Sequence, residues 1–402
     1  MQKSVLEAVV ESQTEKVKKR GLGLQRDVLP ALPDLSSHAL IISGIRRCGK
    51  STLLLQLLKN KKKKHFYLNF DDPRLINFEV SDFQIVDQII KERKAQLLFL
   101  DEPQIINGWE IYVKQKLDEK YKIFVTGSNA SLLSRELGTR LTGRHVTKEL
   151  FPFSYAEFIK FKHLKIGADS LKAYIEIGGF PEYVKTLNSE IITTLFNDIL
   201  DRDIIIRHSI RDFHSLKRLA QYLVSNVGNL VTARKLEQAL NIKTLAILEY
   251  FSFFEDAYLV NFLPKFSCSF KAQLINPKKV YAVDTGLINN VSASLTGDYG
   301  RLLENIIYWH LRRENKEIYY FSESGRECDF TVCQNGNPTE ILQVCYDLNH
   351  DNRDREITGL KAAMDFFKIS NAKIITYNQD DAYIQDGKKI SIIPAWKYMT
   401  QK

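Results

Sequence analysis

Four short apolar runs constrain the fold of the N-terminal part of the chain more than any other feature. They are separated by segments long enough for helices, and they span Ala39–Ile42, Phe66–Phe70, Leu97–Leu100 and Ile123–Thr126. A short apolar run bounded by turn residues is typical of a strand buried on both faces. Because such strands alternate here with helix-length segments, the sequence predicts an α/β fold with a parallel sheet and helices on both of its faces.

A glycine-containing loop follows the first of these runs. Residues 44–51 read GIRRCGKS and match the phosphate-loop pattern GxxxxGK[ST], and a helix pattern begins at Thr52. In this motif, backbone N–H groups and the helix N-terminus cradle phosphates, the lysine neutralises their charge and the hydroxyl ligates Mg²⁺. We therefore predict a nucleotide site formed by Gly44, Ile45, Arg46, Arg47, Cys48, Gly49, Lys50, Ser51 and Thr52.

Two carboxylates directly follow the third apolar run. Asp101 and Glu102 come after Leu97–Leu100, and the carboxyl ends of parallel strands meet at one edge of a sheet. We predict that Ser51 and Asp101 hold Mg²⁺, the latter through water, and that Glu102 polarises the attacking water. The alternative, two surface acids behind a core strand, fits less well because a complete phosphate loop precedes them.

Polar residues after the fourth run extend the predicted site. Ser128 and Asn129 fall beside the expected position of the γ-phosphate, where either could orient the attacking water. Three arginines follow in the next stretch: Arg135, Arg140 and Arg144. One of them could reach the γ-phosphate of a neighbouring subunit, or all could be ordinary surface residues. Arg26, which precedes the first strand, is a candidate for a contact with the nucleotide base.

The region 213–290 has the outline of a winged helix. Helix patterns at Ser215–Asn226, Thr232–Leu240 and Thr244–Asp256 are followed by two short apolar runs. The residues expected to form the buried face are Leu236, Leu240, Ile242, Leu245, Leu248 and Phe251, with Arg234, Lys235 and Lys243 outside. The stretch expected to read DNA, Lys243–Tyr250, carries a single basic residue, so DNA contact and protein docking both remain open.

Charge, cysteine content and hydropathy bound the partners and the compartment. The net charge of +9 permits a polyanionic partner, and the lysine-rich run 59–64 fits either a solvated turn or a polyanion contact. The five cysteines form no CxxC pair, which argues against a zinc or disulfide framework and suits a reducing cytosol. No apolar run reaches the roughly 18–20 residues of a membrane span. We find no signal-peptide pattern, and we expect a cytoplasmic protein without membrane contact.

Taken together, the motifs resemble those of prokaryotic AAA+ ATPases that carry a winged helix and a C-terminal domain similar to restriction endonucleases. The motifs are GIRRCGKS (44–51), DE (101–102), TGSN (126–129), GR (143–144), FPFSYAEF (151–158), GGFPE (178–182) and YAVDTGL (281–287). The resemblance implies ATP and Mg²⁺ as ligands and a sensor residue at Ser128 or Asn129. It also implies an arginine finger, which we place at Arg144, acting between subunits of a homo-oligomer.

The C-terminal region departs from the restriction-endonuclease pattern. The resemblance places metal-holding carboxylates at Glu304 and Asp329, but Gln343 and Cys345 stand where the pattern has an acid and a lysine. A neutral amide is a weak Mg²⁺ ligand, and a cysteine does not supply positive charge beside a developing oxyanion. We therefore expect a degenerate domain that binds DNA or a protein without cutting, and the alternative is an active nuclease.

The resemblance divides the chain into an AAA+ core at 1–150, a helical lid at 151–211, a winged helix at 212–295 and a nuclease-like domain at 296–402. The predicted function is Mg²⁺-dependent ATP hydrolysis that switches the later domains, with DNA as the favoured target. One alternative is an ATP-regulated, metal-dependent DNA nuclease. The other is a non-hydrolysing, nucleotide-dependent protein-binding module, against which the intact Asp101–Glu102 pair argues.

Overall fold

The computed structural model describes residues 1–128, 143–292, 298–385 and 387–401. The chain forms two units, Met1–Phe151 and Pro152–Lys402, which are described separately below. Within the described ranges, no helix is long and apolar enough to cross a membrane.

The first unit is built on a parallel sheet of five strands in the order β2-β3-β4-β1-β5. The strands are β1 (Ala39–Ser43), β2 (His65–Asn69), β3 (Leu97–Asp101), β4 (Lys122–Gly127) and β5 (His145–Glu149). Every residue of β1 and β3 is buried, as expected for strands covered on both faces. The predicted α/β class and the four predicted strands are confirmed, and β5 adds a fifth.

Helices cover this sheet and complete the core of the first unit. They are α1 (Lys3–Lys19), α2 (Lys50–Lys59), α3 (Phe83–Glu92) and α4 (Trp109–Asp118), with 3₁₀ turns at Leu29–Ala31, Pro73–Leu75, Val80–Asp82 and Pro103–Ile105. The apolar residues of α3 recur at helical spacing, and the Phe83 ring stacks on Tyr112 of α4 at 4.1 Å between ring centroids. Leu6 and Val9 of α1, a helix that the sequence analysis did not predict, lie in the same core.

The second unit begins with a helical region. Its helices are α5 (Tyr155–Lys162), α6 (Ala168–Ile177), α7 (Pro181–Thr186) and α8 (Ser189–Asp198), and a π-helical segment at Ile199–Ile206 continues α8. Ser154 begins α5 with a capping box, because its hydroxyl accepts from the Glu157 N–H and the Glu157 carboxylate accepts from the Ser154 N–H. The predicted helical character of this region is confirmed.

Three helices and a small antiparallel sheet follow. They are α9 (Phe213–Ser225), β6 (Leu230–Val231), α10 (Ala233–Leu240), α11 (Thr244–Asp256), β7 (Val260–Leu263), α12 (Phe270–Ile275), β8 (Lys278–Ala282) and α13 (Thr285–Val291). The strand order is β6-β8-β7, with antiparallel pairing throughout.

The face of α11 that packs inward differs from the expected one. Ile247, Tyr250 and Phe254 are buried, whereas Leu245 and Leu248 are 81% and 52% exposed. The prediction of burial for these two leucines is therefore wrong. Apolar residues occur on more than one face of this helix, so periodicity alone did not identify the face that packs.

A mixed sheet of six strands ends the second unit, in the order β13-β14-β12-β11-β10-β9. The elements are α14 (Tyr299–Arg312), β9 (Glu317–Glu323), β10 (Arg326–Gln334), β11 (Asn337–Val344), α15 (Arg353–Phe367), β12 (Asn371–Thr376), β13 (Asp381–Gln385), β14 (Lys388–Pro394) and α16 (Ala395–Tyr398). β9, β10 and β11 pair as an antiparallel series, and β12 and β14 extend it in parallel.

Candidate functional site

The phosphate loop connects the carboxyl end of β1 to the first turn of α2. Gly44 and Gly49 have φ angles of +150° and +105°, and Gly49 is the N-cap of α2. A Cβ atom on Gly44 would lie 2.0 Å from the Leu150 carbonyl oxygen, so only glycine fits there without moving the backbone. The predicted strand–loop–helix context of the motif is therefore present.

Lys50 begins α2 beneath the loop. Its side chain is 5% exposed, and its Nζ donates to the Ile45 carbonyl at 3.1 Å. The same Nζ lies 3.8 Å from Oε1 of Glu102. The structure thus brings the loop lysine and the predicted catalytic carboxylate to the same edge of the sheet, although β1 and β3 are not neighbours in it.

Asp101 ends β3 and is the most enclosed carboxylate of this edge, at 1% exposure. Ser51 Oγ donates to its Oδ1 at 3.1 Å, the Tyr67 hydroxyl donates to Oδ2 at 3.0 Å, and the Thr126 hydroxyl donates to Oδ1. Burial, and then the neighbouring Glu102, raise the pKa of Asp101, while the hydroxyl donors lower it. Hard oxygen ligands of this kind fit Mg²⁺, which Ser51 and Asp101 could share.

Glu102 follows β3 in a left-handed conformation, with φ of +53°. Positive φ is uncommon outside glycine, and it turns this residue sharply out of the strand direction. Its backbone N–H donates to Thr126 Oγ1 at 3.2 Å, and its carboxylate accepts from Gln104 Nε2. The carboxylate remains 19% exposed and is therefore accessible to water.

Two residues of this site, Tyr67 and Thr126, were not assigned by the sequence analysis. They lie on β2 and β4, the two neighbours of β3, and Thr126 pairs directly with Asp101 in the sheet register. The signal that could have identified Thr126 is the register of the predicted parallel sheet, which places hydroxyl side chains beside a carboxylate at the end of a central strand.

Ser128 and Arg144, two further residues of the predicted site, lie at opposite edges of the sheet. Ser128 is buried directly after β4, whose Gly127 pairs with Ser43 before the phosphate loop, so it shares this edge. Asn129, Arg135 and Arg140 lie outside the described residues. Arg144 precedes β5 at the opposite edge, where its backbone oxygen accepts from the Ala39 N–H and its guanidinium pairs with Asp118. It does not join the nucleotide site of its own chain.

Arg26, the candidate for a contact with the nucleotide base, supports the phosphate loop from the N-terminal segment. Its side chain is 3% exposed. Nη1 donates to the Cys48 carbonyl and Nη2 to the Phe151 carbonyl, both at 2.8 Å. Since Cys48 directly precedes Gly49, this buried arginine holds the loop immediately before α2 begins.

Comparison with known proteins identifies the family of the chain. A family model described as an AAA domain matches residues 36–159, which include the loop and Asp101–Glu102. Uncharacterized protein MJ1544 of Methanocaldococcus jannaschii is 34% identical over 89% of this chain and 87% of that protein. The chain belongs to this family of AAA-domain proteins. An uncharacterized protein of Haemophilus influenzae is 30% identical, over 79% of the chain and 84% of that protein.

This AAA-domain protein is also similar to a second family model and to one solved structure. A model described as a domain of unknown function, DUF8612, matches residues 168–297. A chain in the structure of Drosophila ORC bound to AT-rich DNA and Cdc6 is 12% identical, over 71% of this chain and 92% of that chain, with a TM-score of 0.21. That score is too low to show a common fold.

The second predicted site of the AAA-domain protein, in its second unit, contains a lysine that the sequence analysis did not assign. Nζ of Lys279, on β8, lies 2.7 Å from Asp329 Oδ1, 2.8 Å from Glu327 Oε1 and 3.2 Å from Glu304 Oε1. We call these four residues the lysine–carboxylate cluster. The structure thus brings Glu304 and Asp329 together as predicted, but around an ammonium group.

Gln343 and Cys345, which stand at the two altered positions of the endonuclease pattern, also make hydrogen bonds. Gln343 Oε1 accepts from the Asp329 N–H at 3.1 Å, and Gln343 Nε2 donates to Glu356 at 2.6 Å. Cys345 Sγ donates to the Asp347 carbonyl at 3.2 Å. In the described part of the chain, no group of three or more His, Cys, Asp or Glu residues is arranged to hold a metal ion. Glu304 and Asp329 are therefore not part of such a group.

Proposed function

We propose that this protein is a Mg²⁺-dependent ATPase whose nucleotide state switches the second unit. The observation that carries the proposal is the meeting of two pairs at one edge of the sheet: Ser51 with Asp101 at 3.1 Å, and Lys50 with Glu102 at 3.8 Å. The first pair supplies oxygen ligands for a cation, and the second supplies a positive charge and a carboxylate. This is the arrangement that phosphoryl transfer to water requires.

Each side chain of the edge has a task in this reaction. Loop N–H groups and Lys50 bind the phosphates, and Ser51 and Asp101 are placed to hold Mg²⁺. When bound, Mg²⁺ neutralises the charge that develops on the phosphates. Glu102 accepts a hydrogen bond from the attacking water and takes its proton. Ser128, which follows Gly127 at the same edge, orients that water in this proposal.

Hydrolysis separates this proposal from a module that merely binds nucleotide. We expect Glu102→Gln to retain ATP binding and to lower turnover about 10²–10⁴-fold, because it removes the general base and keeps the shape of the side chain. Lys50→Ala should weaken binding itself. Glu92→Gln is the matched control, since Glu92 is an exposed glutamate that pairs with Lys3 on the surface of the same unit. Equal turnover in wild type and Glu102→Gln would remove Glu102 as the general base, and wild-type turnover no higher than that of Lys50→Ala would remove the ATPase proposal.

A winged helix is the interpretation that we propose for α9–α11 and the sheet of β6, β8 and β7. Three helices beside a three-stranded antiparallel sheet support it. Arg234, Lys235 and Lys243 are exposed and could contact phosphates. We therefore retain DNA as a target of the switch, in keeping with the net charge of +9.

A protein partner is the second candidate for this element, and one observation favours it. Leu245 and Leu248, on the helix that would enter the major groove, are 81% and 52% exposed. The two targets can be separated by measuring ATP turnover with double-stranded DNA at increasing salt. Stimulation that falls steeply with salt indicates phosphate contacts, and no stimulation at any salt concentration directs the search to proteins.

A further inference from the structure

The lysine–carboxylate cluster differs from an ordinary surface ion pair in its burial. The Lys279 side chain is 4% exposed, and those of Asp329 and Glu304 are 8% and 14% exposed. Lysine is almost never fully buried unless it is paired. Here Lys279 comes from β8, Glu304 from α14, and Glu327 and Asp329 from β10, so three elements converge on one ammonium group.

The number of acceptors matches the number of donors on the lysine. An ammonium group carries three N–H donors. A carboxylate oxygen from each of Glu304, Glu327 and Asp329 lies within 3.2 Å of Nζ. A divalent cation would need the same oxygens at about 2.0–2.6 Å, and it would then be repelled by the adjacent ammonium charge.

Asp329 and Glu304 also accept hydrogen bonds from other groups. Asp329 Oδ2 accepts from the Val344 N–H at 2.9 Å, and Glu304 Oε1 accepts from the Tyr281 hydroxyl at 2.6 Å. Both carboxylates thus have a hydrogen-bond donor besides the ammonium group of Lys279.

We propose that Lys279 takes the place of a metal ion in this cluster, so that the C-terminal region of the protein binds no divalent cation and does not cut DNA. The ammonium charge is fixed and forms part of the fold. The same contact joins the small sheet, through β8, to α14 and β10. This inference does not depend on the proposed ATPase activity.

The protonation of the cluster agrees with this assignment. Burial alone would lower the pKa of Lys279, but Asp329 and Glu304 raise it well above its ordinary value. The ammonium therefore stays charged throughout the physiological range. Burial raises the pKa of Glu304 to about 7, although Lys279 opposes that shift.

Metal binding by the full chain tests the proposal directly. Nucleotide-free protein carrying Asp101→Asn, which removes the carboxylate of the nucleotide site, is titrated with Mn²⁺ and followed by electron paramagnetic resonance. We expect no bound Mn²⁺ at free concentrations on the order of 1 mM. Adding Lys279→Met should create a site for about one Mn²⁺ per chain, since the three carboxylates then face one another without a cation.

Two further variants test whether the Mn²⁺ gained in the Lys279→Met protein binds at this cluster. Asp329→Asn in the Lys279→Met protein should abolish the gained Mn²⁺ site. Lys278→Met is the matched control and should gain no site, because Lys278 precedes Lys279 on β8 and side chains alternate along a strand. A folded Lys279→Met protein that binds no Mn²⁺ would overturn the assignment of the lysine to a metal position.

The test does not depend on the folding of the Lys279 variant. If that protein cannot be purified, the parent protein and its Asp329→Asn derivative still decide the question. Mn²⁺ binding or plasmid nicking that is present in the parent and lost on Asp329→Asn would overturn the proposal. Absence of both supports it.

Discussion

Asp101 and Asp329 are both buried and both accept hydrogen bonds from neighbouring elements, but the charges of their donors differ. Asp101 accepts hydrogen bonds from three hydroxyl groups, those of Ser51, Tyr67 and Thr126. Asp329 accepts from a backbone N–H and from the ammonium of Lys279. Neutral donors leave the negative charge of Asp101 available to a cation, whereas the lysine neutralises Asp329 within the protein.

The comparison shows why a pair of carboxylates alone does not identify a metal site. In the first unit, the lysine of the site lies closer to the loop carbonyl of Ile45 than to Glu102, at 3.1 Å against 3.8 Å. In the second unit, the lysine is within 3.2 Å of three carboxylates at once. The two clusters therefore differ in the position of the positive charge relative to the carboxylates.

The strongest test of this contrast exchanges each aspartate for asparagine. Asp101→Asn should lower Mg²⁺-dependent ATP turnover about 1,000-fold, equivalent to ~4 kcal/mol, because it removes the charge that holds the cation. Asp329→Asn should leave turnover within about twofold of wild type at a temperature where the variant is folded. Steady-state phosphate release measures both, and a similar loss in the two variants would break the contrast.

The two lysines should differ in their contribution to stability. Lys279→Met removes the cation from three carboxylates and should lower the free energy of unfolding by about 3 kcal/mol. Lys50→Met removes a hydrogen bond to one backbone carbonyl and should change it by less than about 1 kcal/mol. Urea unfolding, followed separately for each unit, measures the difference. Equal destabilisation would mean that Lys279 is not the neutralising group.

The stability of the second unit should depend on pH through the protonation of Glu304. Its folded pKa is raised from 4.5 to about 7, so the folded state binds more protons than the unfolded state between these values. The contribution of this group is therefore fully present below about pH 4.5 and is lost as the pH rises to about 7. Glu304→Gln should flatten this slope, and Glu314→Gln, at an exposed position of the same unit, should not. An unchanged slope in Glu304→Gln would contradict the assignment.

The smallest expected effects concern the two tyrosines that donate to carboxylates. Tyr281→Phe leaves Glu304 without one donor and should lower stability by about 1–2 kcal/mol. Tyr67→Phe leaves Asp101 without one donor and should have a similar effect on the first unit. Only Tyr67→Phe should also change the Mg²⁺ concentration that half-saturates turnover, which kinetic titration can detect. A shift in both variants would indicate that the two sites are coupled.

The meeting of the phosphate loop with Asp101 and Glu102 at one edge of the sheet could be predicted from the sequence because its main parts are local. The loop at 44–51 is contiguous, and Asp101 and Glu102 directly follow an apolar strand, so one motif and one strand pattern located both. Tyr67 and Thr126 were missed because they reach Asp101 from neighbouring strands, and their proximity depends on sheet register. The parallel α/β sheet itself followed from alternation alone.

Predictions for the second unit were weaker because its contacts are not local. Lys279 reaches Asp329 across 50 residues, and no pattern around Lys279 indicates a buried cation. The inward face of α11 was assigned incorrectly at Leu245 and Leu248 because that helix is apolar on several sides. In both cases the answer lies in packing between distant segments, which periodicity does not encode.

The contacts of Arg26 bear on how the AAA domain of this protein is isolated. The AAA-domain match begins at residue 36, whereas the guanidinium that holds the Cys48 carbonyl comes from residue 26. A fragment trimmed to the matched residues would keep every residue of the motif and lose the side chain that supports it, together with the α1 residues of the core. Nucleotide affinity measured on such a fragment would understate that of a chain that contains Arg26.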